Sequence, residues 1–189
     1  MCEMSADSGA VAEPADDLVV LLSDDGTPCG TAPRTTVHDT NTPLHLAFSC
    51  HLIDEHDRIL MTRRALVKKT WPGVWTNSFC GHPRPGESFE DAITRYARHE
   101  LGAEITQLSS LLPDFRYRAV DAGGIVENEV CPVFRARAVG AIAPNPDEVA
   151  ECQWVPLADM AATAARTPWL LSPWFVEQLA ALDPGAGAR

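Results

Sequence analysis

The sequence predicts an α/β fold, one domain built on a mixed β-sheet with helices packed against it. Three observations carry this. Short extended runs lie on both sides of one helical stretch in the middle of the chain. Two further helical stretches close it, an order that suits a sheet covered by helices. The chain has 189 residues, 46% of them hydrophobic, with no internal repeat, which is enough for one good-sized core rather than two.

Taken in order, residues 1–16 form an acidic, alanine-containing leader expected to be disordered, ahead of a domain over 17–182. LVVLLSDDGTPCGTAPR reads as strand, turn, strand, with Asp25 and Gly26 as the hairpin signal. In LHLAFSCHLID, residues Leu44, Leu46, Phe48, Cys50 and Leu52 alternate with His45, Ala47, Ser49 and His51. That pattern predicts a strand with one packed face and a second face carrying polar groups. RILMTRRA follows as its hairpin partner, and residues 74–82 continue in extended form, which puts Cys80 and His82 on one face. Gly86 ends the strand pattern, and Ser88 with Asp91 makes a capping box for a helix. Phe89, Ala92, Ile93, Tyr96 and Leu101 give its inner stripe, Gly102 its stop. Glu100 falls on or beside that stripe, where a carboxylate needs a cation. Strands are expected at 114–119, 125–137 and 150–155, helices at 156–165 and 172–181, and a loose tail at 183–189.

Composition narrows the partners. A formal charge of −11 argues against nucleic acid or an anionic membrane surface, so an anionic substrate would need a local basic patch. The apolar runs are too short for a bilayer span, and the leader has no apolar export segment, so cytoplasm is the default. The six cysteines are scattered with no C-x-x-C, which reads as free thiols rather than a disulfide framework or a four-cysteine zinc site.

The strongest local signal is GIVENEVCPVF. Glu127 and Glu129 project to one side of a strand. A solvated face is the plain alternative, but the flanking Ile125, Val126, Val130, Val133 and Phe134 imply a core strand, where paired carboxylates need a metal or a proton. His38, His45 and His82 supply a complement, and with the two glutamates they suit Mn²⁺, Zn²⁺ or Mg²⁺. Spacing alone does not bring them together. His51, His56 and His99 fit that role less well. The segment RRALVKK concentrates Arg63, Arg64, Lys68 and Lys69 in an acidic chain; it is either a solvated face or a clamp for a multi-oxygen anion.

Gly81, Glu87, Arg95, Glu100, Gly102 and Ala103 fall in register with the Nudix box, G-x5-E-x7-R-E-U-x-E-E-x-G-U, where U is apolar. Tyr96 and His99 stand where two of its glutamates belong, so the frame survives while part of the hydrolytic acid set is gone. Together LHLAFS, TRRAL, KKTWPGVWTNSFCGHP, PDFRYRA, GIVENEVCPVF and TPWLLSPWF resemble the type I isopentenyl-diphosphate isomerases, over roughly Leu18 to Val176. The resemblance implies a Nudix-like fold and the interconversion of isopentenyl and dimethylallyl diphosphate. It implies a metal held by His38, His45, His82, Glu127 and Glu129, with Cys80 and Glu129 catalytic. It also implies a diphosphate-bridging Mg²⁺ near Glu100, and Arg64, Lys68 and, more weakly, Arg34 on the diphosphate.

Moving an unactivated double bond by one carbon means adding a proton at one carbon and removing another, through a tertiary carbocation-like state. On this basis Glu129, polarised by the metal and assisted by Tyr117, is the expected proton donor. Cys80, held as thiolate by nearby cations, is the expected base. Trp174 is expected to face the cation, its plain alternative being core packing. Two other readings are a Nudix hydrolase and a catalytically silent metal-binding scaffold. Oligomeric state is left open.

Overall fold

The computed structural model describes residues 17–182, and the expected disordered leader and loose tail lie outside the described residues. The strands are β1 (Leu18–Leu22), β2 (Pro28–Pro33), β3 (His45–Leu46), β4 (Phe48–Ile53), β5 (Arg58–Arg64), β6 (Trp75–Thr76), β7 (Phe79–Gly81), β8 (Glu104–Leu112), β9 (Arg116–Val120), β10 (Val126–Val130), β11 (Val133–Val139) and β12 (Val149–Pro156). The helices are α1 (Phe89–Leu101), α2 (Leu157–Arg166) and α3 (Pro173–Leu182), with a 3-10 turn at Pro168–Leu170. The α/β class is as expected, but the strands form two mixed sheets, ordered β2-β1-β3-β10-β9 and β12-β5-β4-β11-β8, with β6 added to β5 and β7 to β4.

The two sheets share two chain segments. Residues 45–53 and 126–139 run side by side, β3 parallel to β10 in the first sheet and β4 parallel to β11 in the second. Each of the two was expected to be one strand, and each is broken where it passes from one sheet to the next. The bridging bonds are Ala47 N–H to Val130 O and Ser49 N–H to Pro132 O. Pro132, without an N–H to donate, sits at the break in the second segment, where a continuous ladder would lose a bond. Strand β8 was not expected. It pairs with β11 through irregular register, and Gln107 lies at φ 53, so its apolar residues do not alternate cleanly.

The extended segment 74–82 is likewise interrupted, at Asn77 and Ser78, whose side chains are buried and bonded inward. The Ser78 hydroxyl accepts from Leu52 N–H and donates to Leu60 O, both at 2.7 Å. Helix α1 packs on one face of the second sheet, where Phe48, Cys50, Leu52, Leu60 and Phe79 meet Ala92, Ile93, Tyr96 and Leu101. On the other face, Ile53, Ile59 and Met61 meet Phe175 and Leu179 of α3. Every residue of β4 is therefore buried, so its polar face is covered rather than solvated. Ser49 and His51 on that face both bond Gln178 of α3, at 3.3 and 2.9 Å.

The ends of α1 follow the sequence. The Ser88 hydroxyl accepts from Asp91 N–H and donates to its carboxylate, satisfying a donor the helix leaves open. Gly102 has φ 57, and a Cβ there would lie 2.8 Å from Ala143 O, so both conformation and space require glycine. No described helix is long and apolar enough to cross a membrane.

Candidate active site

One row of the first sheet sets out half of the site. Leu21, His45, Glu129 and Tyr117 are successive cross-strand partners over β1, β3, β10 and β9. Direct partners share a face, so Glu129 has an imidazole on one side and a phenol on the other. Glu127, two residues earlier, projects to the same side; the two carboxylates are 6% and 4% exposed. His38 comes from the loop before β3, and His82 lies just past β7.

The imidazoles converge. Their ring centroids are 5.0, 5.1 and 5.5 Å apart, and the ligating atoms of His38, His45, His82 and Glu129 all lie within 4.8 Å of one another. Glu127 stands at the edge of this group, its Oε2 3.0 Å from His38 Nε2. His45 Nδ1 is 2.9 Å from Pro43 O. A carbonyl only accepts, so the ring proton sits on Nδ1 and the Nε2 lone pair faces the cluster. Close as His38 Nε2 and Glu127 Oε2 are, their alignment makes no hydrogen bond, and neither they nor the buried His45 Nε2 have another such partner among the described residues. Orphaned polar atoms are rare in folded proteins, and three from mixed imidazole and carboxylate donors fit a divalent ion at their centre.

The electrostatics agree with a carboxylate held ionised. Burial works to raise the Glu129 pKa, but contacts with His45 and His82 hold it well below the usual carboxylate range. Burial pushes His82 below an ordinary histidine, whereas at His45 the opposing pull of Glu129 outweighs burial and raises it. Both imidazoles face one oxygen, at 3.4 and 3.2 Å, and His82 is lowered further by the neighbouring rings of His45 and His38. Tyr117, buried beside Glu129, is raised well above an ordinary phenol and stays a neutral donor.

The opposite wall belongs to the second sheet. Cys80 on β7 pairs with Ser49 on β4, and its sulfur lies 3.5 Å from Ser49 Oγ and 3.4 Å from Asn77 Nδ2. Burial pushes the Cys80 thiol up to about 12, and the lowering contributions of Ser49, Asn77 and Arg64 do not offset it. In the ligand-free protein this burial works against the thiolate that nearby cations were expected to favour. Burial of the sulfur is the larger effect.

Cys80, Tyr117, Glu127, Glu129 and Trp174 line one cavity of about 460 Å³, with Arg34, Arg64, Lys68, Lys69 and Glu100 also on its wall. Thus the predicted metal ligands, proton carriers and basic residues come together. The cations are held in place: Arg64 donates to Thr70 O at 2.8 and 3.0 Å, Arg34 pairs with Asp17 at 2.5 Å, and Lys68 lies between Glu148 and Glu100. Burial raises the Glu100 pKa while Lys68, 3.8 Å away, pulls it down. Trp174 packs against Tyr117 and Trp71, with ring centroids 5.6 and 5.3 Å away, and the Arg64 guanidinium lies 5.8 Å from its ring.

Gly81, Glu87 and Arg95 of the box hold the frame of the site. Arg95 forks onto Glu87 at 2.8 and 2.6 Å and reaches His82 O at 3.2 Å, tying the loop after β7 to α1. Tyr96 lies so flat on Gly81 that a Cβ there would come within 2.6 Å of its ring. His51 is a core histidine bonded to Gln178, His56 is an exposed turn residue, and His99 faces Glu148 at 3.4 Å. Sequence reasoning passed over Asn77 and Glu148. Three adjacent polar residues in an apolar stretch, Thr76 to Ser78, mark the first. Glu148 is separated from Lys68 by 80 positions and gave no local signal.

The Nudix domain pattern matches residues 43–175. A protein of Mycolicibacterium vanbaalenii named isopentenyl-diphosphate Delta-isomerase is 59% identical over 174 residues, covering 92% of this chain and 96% of its own. One of the same name from Clavibacter michiganensis subsp. michiganensis is 58% identical over 173 residues, covering 92% and 89%. Among solved structures, a Deinococcus radiodurans protein superposes with a TM-score of 0.67 at 17% identity, over 88% of this chain and 99% of that one, a likeness of fold alone. With its box frame intact, its box acids partly replaced and relatives of this identity over nearly its whole length, the chain belongs to the isopentenyl-diphosphate Delta-isomerase family of the Nudix superfamily.

Proposed function

We propose that this chain interconverts isopentenyl diphosphate and dimethylallyl diphosphate, with Glu129 and Cys80 as the two proton carriers. The observation that carries the assignment is their placement. One cavity has Glu129 on its first-sheet wall and Cys80 on its second-sheet wall, with a basic rim for the diphosphate. A flat alkene lying between them meets a proton source on one side and a proton acceptor on the other.

In the forward direction Glu129, ionised in the ligand-free protein, must first take up a proton from solvent; the carboxyl then gives it to the terminal CH₂ carbon, leaving positive charge on the tertiary carbon. Cys80, once its thiol proton has left to solvent, takes a proton from the CH₂ group between that carbon and the CH₂–O carbon, and the electron pair of that C–H bond forms the new double bond. Thiol and carboxylate, the state of the ligand-free site, are what this step leaves behind. Roles swap in reverse. Tyr117, beside Glu129 in the ladder, donates to whichever oxygen is ionised. Trp174 and Tyr117 wall the cavity with aromatic faces that exclude water and stabilise the cation, and Trp71 packs against Trp174. Arg64, Lys68 and Arg34 bind the diphosphate.

His38, His45, His82, Glu127 and Glu129 would hold a divalent ion, Mn²⁺, Zn²⁺ or Mg²⁺, that fixes Glu129 and acidifies its proton. The Mg²⁺ that accompanies the diphosphate would sit against Glu100, the buried carboxylate on the basic side. The charge balance of the chain and its small-molecule cavity suit a cytoplasmic enzyme with no nucleic-acid or membrane partner. The test is incubation of purified protein with isopentenyl diphosphate and Mg²⁺, followed by NMR. Appearance of dimethylallyl diphosphate without released phosphate is expected. Unchanged substrate, or phosphate release ahead of isomerisation, would reject the assignment.

A further inference from the structure

We infer that Asn77 positions the Cys80 sulfur against the Trp174 indole, and that turnover depends on this placement. The inference rests on the roles given to Cys80 and Trp174 above.

Asn77 is fully buried at the break between β6 and β7. Its Nδ2 donates to Ser49 Oγ at 2.8 Å, Phe79 O at 2.9 Å and Cys50 O at 3.3 Å. Its Oδ1 accepts from Trp174 Nε1 at 3.0 Å and from Thr76 Oγ1 at 2.9 Å. An indole N–H only donates and a carbonyl only accepts, so the amide has one possible orientation. The same amide meets the sulfur from both ends, with Nδ2 at 3.4 Å and Oδ1 at 3.5 Å. A sulfur that carries a proton finds an acceptor there, and one that has lost it lies within reach of the two amide hydrogens, which it shares with Ser49 Oγ and Phe79 O.

One carboxamide thus joins the proton acceptor on β7 to an aromatic wall 97 positions later on α3. Proton transfer from carbon is steep in distance and angle, and a misplacement of about 1 Å can cost ~100-fold in rate. Ser49 touches the sulfur but not the indole, so it cannot set their relation. If Asn77 only closes a strand break, its loss lowers stability and leaves the folded enzyme's turnover alone.

Asn77→Ala, Trp174→Phe (which deletes the indole N–H and keeps a ring) and the double variant separate these cases. Turnover is measured with isopentenyl diphosphate and Mg²⁺ per folded protein, below each melting temperature, with Cys80→Ala in parallel. For Asn77→Ala, kcat is expected to fall about 30-fold or more with KM within about threefold, and the double variant to be little worse than Asn77→Ala alone. A kcat within about threefold of wild type, a change confined to KM, or losses that multiply would overturn the inference. Where Asn77→Ala does not fold, Asn77→Ser is judged by the same criteria; if neither folds, Asn77 is a folding determinant and the inference is withdrawn. An active Cys80→Ala would instead remove the functional assignment on which it stands.

Discussion

Glu129 and Tyr117 are direct cross-strand partners in the antiparallel pair of β10 and β9, with His45 as the parallel partner of Glu129 on the other side. The strand ladder therefore delivers a carboxylate flanked by an imidazole and a phenol, on a surface that sheet hydrogen bonds keep rigid. Cys80 reaches the same cavity from the other sheet. This division of proton carriers between two sheets leads to the first expectation.

Cys80→Ala and Glu129→Gln should each lower isomerase turnover by about 100-fold to 10,000-fold, the range positioned acid–base groups supply. Both should keep the wild-type circular dichroism spectrum. Turnover close to wild type in either would remove that residue from the chemistry.

Protein purified with Mn²⁺ or Zn²⁺ should carry about one ion per chain before substrate is added, because His38 Nε2, His45 Nε2 and Glu127 Oε2 are buried and make no hydrogen bond among the described residues. His45→Ala and Glu127→Gln should each lower that stoichiometry in elemental analysis, and a chelator should lower the melting temperature of wild type more than of either variant. Full metal content in both variants would place the ion elsewhere.

Nucleoside diphosphate derivatives should yield no appreciable phosphate or nucleoside monophosphate. Tyr96 occupies a box glutamate position with its ring flat on Gly81, and His99 occupies another while facing Glu148, so Glu100 keeps no box carboxylate beside it. A phosphate-release assay run beside the isomerase assay checks this; hydrolysis faster than isomerisation would contradict it.

At Trp174, Phe should be tolerated better than Leu, with the loss in kcat rather than KM. Leu keeps the cavity dry but has no π face for a developing cation, a contact worth about 2 kcal/mol when desolvated, or about 30-fold in rate. Steady-state kinetics beside thermal melts decide it. If Leu equals Phe in turnover, or lost activity follows lost stability, the indole is only a wall.

His51 should make stability fall with acid. Burial depresses its pKa to about 4 from an ordinary 6.5, so below pH 6.5 the unfolded chain binds a proton that the folded protein refuses. The stabilisation is complete above pH 6.5 and is lost progressively toward pH 4, at a cost of about 3 kcal/mol. Urea unfolding across this range should show that slope in wild type and lack it in His51→Gln. An identical slope in the two would assign the acid sensitivity to other groups.

Local chemistry was legible in the sequence. The Ser88 cap, the Gly102 stop, the hairpin at Gly26 and the same-side carboxylates Glu127 and Glu129 depend on neighbours a few positions away, and the structure has each of them. Residue type and local charge singled out the three site histidines and the basic segment, and the family resemblance marked Cys80. What only the tertiary structure decided are relations across long separations. Residues 45–53 and 126–139 each divide between two sheets because they bend together as parallel neighbours, a constraint neither segment carries alone. The polar face of β4 is buried because Gln178, 127 positions after His51, supplies its hydrogen bonds. The Cys80 proton is held by burial, which depends on how much of the chain surrounds the sulfur rather than on the charges nearest to it in sequence. Hydrogen bonds within a turn or a ladder are written in local order; desolvation and sheet exchange are properties of the packed whole.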